Sequence, residues 1–181
     1  MRAWFRGGCV AFIAAALLVS MAGVAAAKSK KQSAAKYAKT VCGTYSQLET
    51  DIGTFATAIG TLDLTDPAAY KTGAAAPTNT LLATLKADKA KLAAAYPDVS
   101  NGKKIGTMLV TNATELDKSL SAAYSALQAD SSAAGPATFQ AAMLVLPTKL
   151  SDPFSKVTDQ DLINAFQKEK SCKNVVKVTS A

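Results

Sequence analysis

KYAKTVCGTYSQLETDIGTFATAIG, residues 36–60, carries Tyr37, Val41, Tyr45, Leu48, Ile52, Phe55 and Ile59 at steps of four and three, and Leu62 continues the series. That spacing lines one face of a 3.6-residue helix and predicts one amphipathic helix over 37–62, ~40 Å long. Gly43, Gly53 and Gly60 fall inside it. Each costs ~1 kcal/mol against Ala, so they mark a kink, a close helix approach, or positions that packing overrides.

The same period recurs downstream. Asp66-Pro67 reads as a cap followed by proline at the first helical position, opening a short helix over 67–71 that Gly73 stops. A second long helix is expected over 77–96, with Leu81, Leu82, Leu85, Leu92 and Tyr96 inward. YPDVSNG, residues 96–102, has turn composition. A third helix is expected over 103–129, with Ile105, Leu109, Leu116, Leu120, Tyr124 and Leu127 on one face. The last stretch reads as helix over 139–146, a stop near Pro147, and a restart at Thr158. There Thr158-Asp159-Gln160-Asp161 resembles a capping box. Leu162, Ile163 and Phe166 extend its apolar face toward Cys172. No alternating strand stands out. The expected fold is all-α: an up-and-down bundle of four main helices plus short connecting helices.

The chain opens MRAWFRGGCVAFIAAALLVSMAGVAAAKSKK. Arg2 and Arg6, an apolar run from Cys9 to Val24, and small residues to Ala27 make the three-part pattern of a secretory signal peptide over 1–27. Retention as a membrane anchor is the alternative. The expected organisation is then a basic flexible tail over 28–36, a bundle domain over 37–173 and a C-terminal tail over 174–181.

Loss of the leader removes both arginines, Trp4 and Cys9, and leaves no His at all. Cys42 and Cys172 remain. A zinc site needs about four N or S ligands, and a catalytic thiolate needs a base that is absent. In an exported chain the pair is therefore expected to be a disulfide. It would join the start of the first helix to the end of the last, which an even number of antiparallel helices also requires.

Several familiar patterns carry little here. Ser33-Ala34-Ala35-Lys36 and Lys71-Thr72-Gly73 match S-x-x-K and K-T-G, but the serine falls in the tail and no sheet is expected to hold the second triplet. Asn112-Ala113-Thr114 is a glycosylation sequon inside a helix. Asp152, Asp159 and Asp161 lack the spacing of a calcium loop. The five tyrosines are expected to pack in the core with their hydroxyls at the surface, not to ligate haem. No cofactor or metal is expected. Without arginine, bidentate clamps on phosphate or carboxylate are ruled out, and lysines without aromatic interleaving argue against nucleic acid.

The expected function is a non-enzymatic, exported binding or interaction module at the cell envelope or outside the cell. One alternative is a carrier of a small apolar ligand or lipid in the bundle interior. A second is a hydrolase using carboxylates or a Ser/Lys pair. The charge pattern suggests where binding occurs. Lys28, Lys30, Lys31, Lys36 and Lys39 form an acid-free run, and Lys168, Lys170, Lys173 and Lys177 crowd the other terminus around Glu169. Residues 40–167 hold nine lysines against twelve acids. With the termini bridged, the expectation is a basic pole on a mildly acidic rod, drawn to anionic polymers or headgroups. Deleting 28–36 is expected to leave the bundle folded.

Overall fold

The computed structural model of the chain describes residues 29–149, 154 and 157–173. The expected leader over 1–27, Lys28, Asp152, Lys177 and the expected tail over 174–181 lie outside the described residues. The described chain is all-α apart from one pair of three-residue strands: β1 (Lys30–Gln32), α1 (Ala34–Gly60), α2 (Pro67–Ala93), β2 (Ala95–Pro97), α3 (Gly102–Ala129), α4 (Gly135–Lys149) and α5 (Gln160–Lys168), closed by a 3-10 turn at Lys170–Cys172.

α1, α2 and α3 run up, down and up. The fourth column of the bundle is shared. α4 packs on α3 away from the disulfide, and α5 packs on α1 at the disulfide end. The interior falls into two apolar clusters, one above the other. Tyr37, Val41, Cys42, Leu92, Ile105, Leu109, Leu162 and Phe166 belong to the one around Cys172. Leu48, Phe55, Ile59, Tyr70, Leu81, Leu120, Leu127 and Phe139 belong to the other. Edge-on rings lock each storey: Phe154 meets Phe166 at 4.9 Å and Tyr45 at 5.7 Å, and Phe139 meets Tyr70 at 6.4 Å.

Cys42 and Cys172 form a disulfide with α-carbons 4.9 Å apart across a sequence separation of 130. Closing so long a loop stabilises the fold by ~4–5 kcal/mol in the chain-entropy account.

The first helix follows its stripe closely. Ser33 caps it, its hydroxyl accepting from the Lys36 amide. Threonine is a poor helix former, yet Thr40, Thr44, Thr50, Thr54 and Thr57 all donate to the carbonyl four residues back. A Cβ added at Gly43, Gly53 or Gly60 would meet nothing within 4 Å. These glycines mark no close approach; packing of the opposite face overrides their propensity.

Four local expectations are corrected. Gly73 and Pro77 do not split the second helix: α2 is continuous from Pro67. Its buried residues Tyr70, Ala74, Thr78, Leu81, Leu85, Asp88 and Leu92 keep step across both breakers, and that burial outweighs the hydrogen bond Pro77 cannot make. Likewise α4 runs through Pro147 to Lys149. At α5 the cap is Asp159, whose carboxylate accepts from the Leu162 amide, not Thr158.

The fourth correction concerns the basic tail. From Lys30 onward it is fixed. β1 pairs in parallel with β2, Lys30 opposite Ala95 and Lys31 opposite Tyr96. The Lys30 amide donates to the Ala94 carbonyl and the Asp98 amide to the Gln32 carbonyl. Tyr96 thus belongs to a strand, not to the end of a helix. The turn that follows needs Asn101 in the left-handed region at φ 60° and a glycine at 102, where any Cβ would collide with the Pro97 carbonyl oxygen.

Candidate functional site

The antiparallel order delivers the starts of α1 and α3 and the ends of α2 and α5 to one end of the bundle, where the disulfide sits. Lys30 and Lys31 project from β1, Lys36 and Lys39 from the first turns of α1, Lys168 from the last turn of α5, and Lys170 and Lys173 from the closing turn; all are exposed. The fold adds three lysines that the sequence reading left out: Lys91 at the end of α2, and Lys103 and Lys104 at the start of α3, also exposed. The signal for them was available, since an up-and-down order puts the 96–102 turn beside the chain termini.

Lysines in the first turn of a helix oppose its dipole, at ~0.3–1 kcal/mol each. α1 and α3 both begin with lysines and without an acid in the first turn. The charge at this end is therefore not explained by helix stability.

Acids at this end are few and engaged. Asp98 forms an ion pair with Lys31 at 2.6 Å, and that hydrogen bond and charge push the Lys31 pKa up. Glu169 accepts from the Ser171 amide and hydroxyl at 3.2 and 2.9 Å. Those bonds, with Lys39 nearby, hold its carboxyl below the usual range. Asp88 is buried and paired with Lys91 at 2.9 Å. The opposite end of the bundle bears Asp63, Asp66 and Asp130 in its turns. Asp63 bonds Thr65 and Asp130 bonds the Ser132 amide, and these bonds hold both carboxyls below the usual range.

The outer face of α2 and α3 carries two open hollows that share Ala93 and Val110 as walls. One, of about 720 Å³, is an apolar trough over Leu82, Ala83 and Ala90, edged by Lys86 and by the Lys89–Asp117 ion pair. The other, of about 580 Å³, lies toward the disulfide end and is the more polar of the two, with Leu92, Ala95 and Val110 as apolar walls. Tyr96, Lys103, Thr107, Thr111 and Lys118 face it. The Lys103 ammonium stands 5.7 Å from the Tyr96 ring centre, and Lys118 is paired with Glu115. The carrier reading anticipated a chamber inside the bundle, whereas these hollows open outward.

The Ser/Lys motifs are far apart. Ser33 caps α1 at the disulfide end. Lys71 sits at the other end of the bundle, its ammonium donating to the Gln128 carbonyl at 3.2 Å. Asp159 is occupied as a helix cap. Among the described residues no three His, Cys, Asp or Glu side chains cluster as metal ligands, and no helix is long and apolar enough to cross a membrane.

The tyrosines depart from expectation in one respect. The hydroxyls of Tyr37 and Tyr70 are buried without a protein partner among the described residues, instead of reaching the surface. Burial pushes both pKa values up. Tyr45 is pushed up to about 12 by burial, with the Asn112 side chain acting the other way. The sequon asparagine is thus half-buried against the core.

The chain matches no family model, no curated protein and no solved structure.

Proposed function

We propose that the protein is an exported, non-catalytic binding module that docks through its basic disulfide end onto an anionic surface of the cell envelope or exterior. Export rests on the leader pattern over 1–27 and agrees with a bonded cysteine pair. The observation that carries the reading is convergence. Lys30, Lys36, Lys39, Lys104, Lys168, Lys170 and Lys173 come from separate elements to one end, outside any ion pair among the described residues. A lysine near an anionic membrane contributes up to ~1 kcal/mol, so several acting together are enough for reversible docking.

The test is sedimentation with anionic vesicles. Replacing Lys36, Lys39, Lys104 and Lys170 by Gln should reduce binding at least tenfold while the melting temperature holds. Deleting 28–36 is the wrong probe, because it strips β1 and the Ser33 cap from the fold.

Ligand carriage remains a second reading, favoured by the apolar trough on α2 and α3.

A further inference from the structure

We infer that the two joined hollows on α2 and α3 form one site for a single-tailed anionic phospholipid. The tail lies in the trough, and the phosphate-bearing headgroup sits in the hollow beside Lys103. This site borders the docking end and shares Lys103 with it, but its existence does not depend on docking.

Three observations point to that occupant. First, polarity is divided along the groove. The trough is walled by Leu82, Ala83, Ala90, Ala93 and Val110, whereas the adjoining hollow presents Tyr96, Lys103 and the hydroxyls of Thr107 and Thr111. An amphiphile matches such a division; a wholly apolar ligand would leave the hydroxyl-lined part unused. Both volumes lie within the ~300–1,000 Å³ range of ligand sites.

Second, the length fits one tail. Leu82 and Ala93 are eleven residues apart on α2, ~16 Å at the helix rise. One acyl tail spans half of the ~30 Å hydrocarbon core of a bilayer, ~15 Å.

Third, the charge fits an anionic head. Lys103 stands at the polar end, held over Tyr96. The acid facing that hollow, Glu115, is already matched by Lys118 at 3.1 Å. The hollow has room for more than a carboxylate; Thr107 offers a hydroxyl donor to a phosphate oxygen, while the Thr111 and Thr114 hydroxyls, which donate to the Thr107 and Val110 carbonyls, keep lone pairs for a glycerol hydroxyl. That favours a phosphoglycerol head over a fatty acid.

The probe is lysophosphatidylglycerol with a sixteen-carbon tail, below its micelle-forming concentration, added to the purified disulfide-bonded chain. Calorimetry and native mass spectrometry should give one lipid per chain. Ala90→Trp and, separately, Ala83→Leu fill the trough from exposed helix positions; each should weaken binding at least tenfold with the melting temperature unchanged. Lys103→Glu should weaken it about fivefold or more. Shortening the tail should cost about two- to fourfold per methylene. Equal affinity for the uncharged monoacylglycerol of the same tail would overturn the headgroup assignment. Unchanged affinity in both trough-filling variants would overturn the site. Because vesicle docking is read separately with the Lys36, Lys39, Lys104 and Lys170 variant, the two readings fail independently.

Discussion

Cys42 in the third turn of α1 and Cys172 in the closing turn stand 4.9 Å apart at their α-carbons, both buried in the same apolar cluster. That bond joins the two lysine-rich segments of the sequence into one surface. It also closes a loop of 130 residues. Replacing both cysteines by Ser should lower the unfolding free energy by ~3–5 kcal/mol in urea. A loss under 1 kcal/mol would mean that the apolar cluster alone holds the termini.

The glycines divide into two kinds. Gly43 and Gly53 are exposed, helical, and open where a Cβ would go. Each change to Ala should stabilise the protein by ~0.5–1 kcal/mol. Gly102→Ala should instead destabilise by more than ~2 kcal/mol, because its Cβ meets the backbone of Pro97 and not a movable side chain. Thermal melts of the three variants test both signs.

Asp88 occupies a core position of α2. One carboxylate oxygen bonds Lys91, and the other has no partner among the described residues. Burying that oxygen is costly, so Asp88→Leu should be neutral or stabilising by ~1–3 kcal/mol. Lys91→Ala, which leaves the buried carboxylate alone, should destabilise by ~1–3 kcal/mol. Urea unfolding of both variants checks the pair. A marked loss with Asp88→Leu would show that the carboxylate is doing something other than pairing with Lys91.

Buried tyrosines set the alkaline limit. Tyr45 is raised to about 12 and Tyr37 and Tyr70 are raised, each first by burial. The folded state therefore favours the neutral phenol more than the unfolded state does. This contribution is intact below pH ~10, the unfolded value, and falls as pH climbs toward 12. Unfolding free energy should drop by ~1 kcal/mol per pH unit or more above pH 10, and less steeply in Tyr45→Phe. Absorbance titration should show a tyrosine fraction that ionises only on unfolding.

The sequence disclosed the long helices through their stripes, and it disclosed the disulfide by elimination of other cysteine chemistry. It misread α2, because Gly73 and Pro77 are local signals, while the stripe from Tyr70 to Leu92 is stabilised only by neighbours distant in the chain. β1 was hidden for the same reason. Lys-Lys-Gln has no strand propensity worth noting, and it is ordered by the edge that Ala95, Tyr96 and Pro97 offer. The lysines of the two termini were legible as a charge pattern. Lys91, Lys103 and Lys104 were not joined to them, because their place at that end follows from topology and not from sequence proximity. The trough on α2 and α3 could not be read at all. Ala83, Ala90 and Ala93 look like ordinary surface helix residues until two helices are set side by side.

The docking end is tested most directly by salt. Binding of the disulfide-bonded chain to anionic vesicles should fall steadily as the Debye length shrinks from ~10 Å at 0.1 M to ~3 Å at 1 M, and the Lys36, Lys39, Lys104 and Lys170 to Gln variant should bind at least tenfold more weakly at 0.1 M. Binding that is unchanged by 0.5 M salt and by loss of those lysines would contradict the account.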